Sequence, residues 1–114
     1  MRYTGSCHCG KIAYEIDGEI DQLIECNCSH CSRKGYLLWF VPRDTVTIKS
    51  SESMATYLFN KHKIQHRFCS HCGCAPFGEG TDPKGNATMA VNVRCLENLD
   101  RSAIKVVPVD GRSF

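Results

Sequence analysis

The sequence predicts a mainly β domain with at most short helical turns. Three observations point there. Apolar residues recur with period two in short segments bounded by Gly, Pro, Asp and Asn. Only residues 96–103 and the region around 31–34 carry any helical signal. Seven of the nine cysteines fall into three tight clusters, the mark of a small domain stapled by metal.

The elements follow in order. Residues 11–16 alternate, with Ile12, Tyr14 and Ile16 on one face. Asp17-Gly18 then signals a turn. Residues 20–25 lead into the middle cysteine cluster. Residues 36–41 are a continuous apolar run ending at Pro42, which reads as a buried strand. Residues 45–49 (Thr-Val-Thr-Ile-Lys) are β-branched and alternating. Residues 54–59 and 64–68 flank Asn60-Lys61-His62-Lys63 as a hairpin would. Residues 78–88 are rich in glycine and read as a connecting loop. They lack the Gly-x4-Gly-Lys-[Ser/Thr] pattern of a phosphate cradle. Residues 88–93 alternate Met89, Val91 and Val93, and residues 104–109 form a last strand. No boundary interrupts residues 1–114, which are read as a single zinc-binding domain.

Composition narrows the function. Hydrophobic residues make up 42% and charged residues 23%, ordinary values for a globular chain. No stretch approaches the roughly 18 apolar residues of a membrane span. The first six residues hold no apolar signal core, so a cytoplasmic, reducing compartment is expected. The formal net charge is +2. Seven thiolates against two Zn²⁺ would lower it by three, to about −1. Lys61-His62-Lys63, the densest basic stretch, reads as a solvated turn. Neither nucleic acid nor membrane is therefore an expected partner.

The cysteines carry the chemistry. An odd count and Cys-x-Cys spacing are both poor for a disulfide framework and good for metal. Cys69-Ser70-His71-Cys72-Gly73 is a knuckle: two intervening residues turn both sulfurs inward, and Gly73 lets the backbone curl. Cys7 and Cys9, two apart on an extended backbone, supply the other half of a closed tetrahedron. Cys26, Cys28 and Cys31 supply only three ligands. A closed shell is structural, whereas three ligands with an open position are catalytic. The alternative for the middle cluster is a structural zinc completed by a distant ligand.

Nearby residues read more plainly. His30 points away if Cys28 and Cys31 bind as a knuckle. His8 and His71 read as exposed, Cys95 as a buried apolar residue, and Cys74 as a spare thiol outside the clusters. Trp39 and Phe40 read as core.

Gly5-Ser6-Cys7-His8-Cys9-Gly10, Cys26-x-Cys28-Ser29-x-Cys31, Phe68-Cys69-x-x-Cys72-Gly73, Val91-Asn92-Val93-Arg94-Cys95-Leu96 and Asp110-Gly111-Arg112 together resemble the glutathione-dependent formaldehyde-activating (GFA) family, the CENP-V/GFA domain. The resemblance spans nearly the whole chain. It implies an Mss4-like β-sheet fold with two Zn²⁺ per chain. The structural ion would sit on Cys7, Cys9, Cys69 and Cys72, and the catalytic ion on Cys26, Cys28 and Cys31. It also implies condensation of glutathione with formaldehyde to S-(hydroxymethyl)glutathione, a carbon–sulfur lyase activity.

The leading expectation is an enzyme that adds a small glutathione-like thiol to an aldehyde at the open three-cysteine site. The partners are then a small-molecule thiol and an aldehyde, and a homodimer is compatible with the sequence. A non-enzymatic zinc-stabilised binding module and a thiol redox sensor are the rivals.

Overall fold

The computed structural model describes residues 1–59 and 64–113. Among these residues, ten strands form two sheets. The smaller holds β1 (Arg2–Ser6), β2 (Ile12–Asp17) and β5 (Val46–Ser51) in the order β1-β2-β5, all antiparallel. The larger contains β3 (Gln22–Cys26), β4 (Leu38–Pro42), β6 (Met54–Tyr57), β7 (Gln65–Cys69), β8 (Phe77–Thr81), β9 (Ala87–Asn92) and β10 (Lys105–Val109). Its order is β10-β3-β4-β9-β8-β7-β6. Every pairing in it is antiparallel except β10 with β3. A short helix, α1 (Ser29–Lys34), follows β3, and Gly35 ends it in the left-handed conformation at φ 69°. The mainly β fold with short helical turns is thus as the sequence predicts.

The two sheets pack face to face. Ile12, Tyr14 and Ile16 are buried together, as the alternation of β2 requires. They meet Leu23, Trp39, Phe77, Met89 and Val91 of the larger sheet. Two edge-to-face aromatic pairs lock the interface: Tyr3 with Trp39 at 5.5 Å between centroids, and Tyr14 with Phe77 at 5.3 Å. The outer face of the larger sheet carries a second, smaller apolar cluster of Tyr36, Leu38 and Ala75. This explains the unbroken apolar run at residues 36–41: β4 is used on both faces.

Several local expectations fail for tertiary reasons. Asp17-Gly18 does bend the chain at the end of β2, as its turn signal predicts, but β2 pairs with β1 and β5 and the chain crosses to the other sheet. Residues 78–88 are not all loop. β8 occupies Phe77–Thr81 despite its glycines, because it lies between β7 and β9. Glu79 pins it with ion pairs to Arg43 (2.9 Å) and Arg67 (2.8 Å). Only the turn after it is irregular, closed by Lys84 and Asn86 N–H groups donating to the Asp82 carboxylate.

Residues 96–103 are not helical beyond a single 3-10 turn at Arg101–Ala103. Leu96 instead bridges to Gly5, Glu97 N–H donates to the Thr4 carbonyl, and the Asn98 amide ties the backbone of Arg2 and Thr4. Phe40 is 53% exposed rather than core, while Trp39 is buried. Cys95 is half-buried rather than fully so. β6 and β7 pair as a hairpin should, Met54 opposite Cys69. Its predicted connection, Asn60-Lys61-His62-Lys63, lies outside the described residues.

Gly5 has no room for a side chain. A Cβ there would meet the Tyr14 ring at 2.5–2.7 Å. Gly5→Ala is therefore expected to lower stability by about 1–3 kcal/mol, read as a shift of the urea unfolding midpoint at unchanged slope.

Candidate metal centres and the adjoining cavity

The sulfurs of Cys7, Cys9, Cys69 and Cys72 all lie within 4.8 Å of one another. Cys7 and Cys9 follow β1, Cys69 ends β7, and Cys72 closes the knuckle turn. Gly10 and Gly73, each one residue past a cysteine pair, take positive φ (84° and 83°). The Cys7–Cys9 and Cys9–Cys69 sulfur separations are both 3.6 Å. A tetrahedron with Zn–S bonds of about 2.3 Å has an edge of about 3.8 Å, so the spacing suits a tetrahedral dication.

Backbone amides face the sulfurs. Ile12 N–H donates to Cys7 Sγ and Cys72 N–H to Cys69 Sγ, each at 3.3 Å. Burial acts to raise the Cys69 thiol. The Ser53 hydroxyl at 2.8 Å and the N–H groups of Cys72 and His71 outweigh it and hold Cys69 at about 5. Cys9 behaves oppositely. The N–H of Lys11 acts to lower it, but burial and the neighbouring sulfurs push it up to about 12. One thiolate thus blocks the ionisation of its neighbour, and a bound cation removes that conflict.

The second cluster is built differently. Cys26 ends β3, Cys28 caps the N-terminus of α1, and Cys31 lies in its first turn. Cys31 N–H donates to Cys28 Sγ at 3.3 Å, and Cys28 N–H to Cys26 Sγ at 3.5 Å. Burial opposes ionisation of Cys28, but the N–H groups of Cys31 and His30 bring it below the usual thiol range. Burial, then the Cys28 thiol, raises Cys31. The three sulfurs lie within 4.8 Å of one another, and among the described residues no fourth Cys, His, Asp or Glu joins them. The donor set fits a metal and leaves a position uncommitted.

The chain's last strand holds this loop. β10 runs parallel to β3 with Val109 opposite Cys26. Asn27 N–H donates to the Val109 carbonyl. The Arg112 backbone N–H donates to Asn27 Oδ1, and its Nε donates to the Asn27 carbonyl. Gly111 lies against the sulfurs, where a Cβ would overlap Cys26 Sγ.

A cavity of about 460 Å³ opens beside the three cysteines, walled by residues such as Ile24, Leu38, Phe40, Phe59 and Ala90. Its floor is the outer face of the larger sheet. Tyr36 and His66 also line it. Burial pushes the Tyr36 phenol up to about 12. His66 lies 4.4 Å from His30, centroid to centroid, within a cluster that includes Tyr57 and Phe59. Burial, then repulsion from a charged His30, holds His66 at about 4 against an ordinary 6.5.

The sequence-derived cysteine groups are therefore brought together as two separate sets. His30 is outside both and packs on aromatic rings, and His8 and His71 are exposed. Cys74 and Cys95 also lie outside both sets. His66 and the cavity wall carried no local signal of their role, and Gly111 stood out only within the Asp110-Gly111-Arg112 motif. They become neighbours of the cysteines only through strand pairing.

The sequence profile of the family described as glutathione-dependent formaldehyde-activating enzyme matches residues 2–107. The chain belongs to the GFA family. A crystal structure of a Rhodobacter sphaeroides protein, a structural genomics target, has the same fold at 23% identity. The match has a TM-score of 0.77 and covers 91% of this chain and 99% of that one. Among the described residues of this GFA protein, no helix is long and apolar enough to cross a membrane.

Two outcomes follow from this geometry. Gly111→Ala should weaken metal binding at Cys26, Cys28 and Cys31 about 10–100-fold, measured by chelator competition, while metal at the four-cysteine set is retained. His66 should titrate near pH 4 when its ring proton shift is followed by NMR; a midpoint near 6.5 would contradict its burial. Its folded value lies below its unfolded one, so its contribution to stability is full above about pH 6.5 and is lost as pH falls toward 4.

Proposed function

We propose that this GFA protein is a zinc-dependent carbon–sulfur lyase-type enzyme. It adds a small glutathione-like thiol to an aldehyde such as formaldehyde, or catalyses the reverse. We assign Cys7, Cys9, Cys69 and Cys72 to a structural Zn²⁺, and Cys26, Cys28 and Cys31 to a catalytic one. On this reading residues 1–114 form a single CENP-V/GFA-type domain acting in the cytoplasm.

The observation that carries the reading is the difference in donor count: four sulfurs in one set, three beside a cavity in the other. A zinc ion at the three-cysteine set would supply positive charge that keeps an incoming sulfur ionised at neutral pH. The reaction needs no oxidant or reductant. The thiol sulfur bonds to the carbonyl carbon, the C=O π pair moves to oxygen, and that oxygen takes up the proton the thiol gave.

The chain's own residues orient and shield. The Cys31 amide steadies Cys28 Sγ, and Arg112 anchors the loop through Asn27. The apolar wall excludes water that would hydrate the aldehyde. Tyr36 and His66, both neutral at pH 7, are the lining side chains suited to exchange a hydrogen bond or proton with the carbonyl oxygen.

Two substitutions separate the roles. Cys72→Ser is expected to abolish folding, because structural zinc contributes on the order of 10 kcal/mol in small metal domains. Cys28→Ser is expected to leave a folded chain lacking one metal, counted by native mass spectrometry. In the parent protein loaded with cobalt, glutathione should alter the visible absorption. If glutathione leaves that spectrum unchanged, or if Cys28→Ser unfolds the chain, the three-cysteine site is not the reaction centre.

A further inference from the structure

We propose that the cavity beside Cys26, Cys28 and Cys31 holds the hydrocarbon body of the carbonyl substrate. The preferred aldehyde is then aromatic or branched aliphatic and uncharged, and formaldehyde, named above as an example of the class, is a poorer substrate. This inference rests on the thiol-addition reading above and specifies its substrate.

Size argues first. A water molecule takes up about 30 Å³ of liquid volume, and formaldehyde has only two non-hydrogen atoms. It would leave most of a 460 Å³ cavity unfilled. The unfilled part offers water few partners. Among the described residues lining it there is no Lys, Arg, Asp or Glu. Asn92, the amide on its wall, is already engaged: Nδ2 donates to the Ala75 carbonyl, and Oδ1 accepts from Arg94 N–H. The remaining polar groups are the three thiols at one end, Tyr36 and His66. Cavities of this size with an apolar wall and a few polar groups at one end take small organic ligands. Phe40 and Ile64, 53% and 50% exposed, both line this cavity and leave apolar surface open to solvent.

The other side of the cysteines differs in kind. A second cleft of about 480 Å³ also reaches Cys26 and Cys31, and it is lined by Glu25, Asn27, Ser32 and Asp110. Tyr36, Pro108 and Val109 also line it, and it differs from the first cavity in carrying two carboxylates and an amide beside the cysteines. A charged thiol such as glutathione, with carboxylates and an ammonium group, would lose its hydration in the apolar chamber without gaining a charged partner among the described residues. The second cleft can keep the charged ends of such a thiol hydrated, with Glu25 and Asp110 facing its ammonium group, while its sulfur reaches the cysteines. The apolar chamber is left for the carbonyl compound, whose carbon reaches that sulfur where the two clefts meet, at Cys26 and Cys31.

The test is direct binding of 4-phenylbutan-2-one, an apolar methyl ketone, to the zinc-loaded protein. Methyl resonances of Ile24, Leu38 and Val109 are followed by NMR. Two cavity-filling variants from different strands serve as controls: Ala90→Leu and Gly78→Val. Gly78 tolerates a side chain, since a Cβ there makes only ordinary contacts of 3.6–3.8 Å. Each variant is checked for folding by circular dichroism. We expect saturable shifts at those three methyls and at least tenfold weaker binding in both variants. Kinetically, kcat/KM for 3-phenylpropanal should exceed that for formaldehyde with the same thiol. Absence of methyl shifts at millimolar ketone, shifts that persist in both variants, or a preference for formaldehyde would overturn the proposal. Ketone binding together with a cobalt spectrum insensitive to any thiol would instead overturn the thiol-addition reading, and the carbonyl assignment with it.

Discussion

The convergence of four sulfurs on one point is the constraint on which the structure depends. Cys7 and Cys9 come from the end of the first strand of the small sheet, and Cys69 and Cys72 from the seventh strand of the large one. Their junction fixes how the sheets face each other. The aromatic pairs Tyr3–Trp39 and Tyr14–Phe77 can interdigitate only when that angle is set. A domain of this size buries roughly two-thirds of its unfolded surface, a modest core. A cross-link between residues 60 positions apart in sequence therefore carries a large share of the fold's definition. Crowding four ionisable thiols is unfavourable without a cation and favourable with one, so a metal bound there would be coupled to folding.

The three-cysteine set meets the opposite condition. Its loop leaves β3 directly into a one-turn-and-a-half helix whose Cys31 amide faces Cys28 Sγ. Such a local arrangement does not hold the sheets together. It is free to keep a coordination position uncommitted, because no packing depends on filling it. The two sets thus separate two geometries, one of four sulfurs that links the sheets and one of three beside a cavity.

Both cysteine sets were legible in the sequence, since spacing of one or two residues constrains where sulfurs point whatever the surrounding fold. The alternation of Ile12, Tyr14 and Ile16 was equally legible. What local pattern did not reveal depends on pairing between distant segments. β8 is a strand because its neighbours supply the ladder and Arg43 and Arg67 grip Glu79, not because Phe-Gly-Glu-Gly-Thr favours extension. Residues 96–103 have the composition of a helix, yet their backbone bonds go to β1. Phe40 reads as core because its neighbours on β4 are core, and only the position of the cavity explains its exposure. His66 and Gly111 come next to the cysteines through registers that no local pattern encodes.

The contact between Arg112 and Asn27 spans 85 residues and is made through the parallel pairing of β10 with β3. During synthesis the four-sulfur junction can close once Cys72 has emerged from the ribosome. Cys26, Cys28 and Cys31 must wait until β10 and Gly111 follow. For that interval the nascent chain is anchored but its three reactive thiols are unbraced. The order of translation thus imposes an order of assembly, with the four-cysteine junction first and the three-cysteine set last.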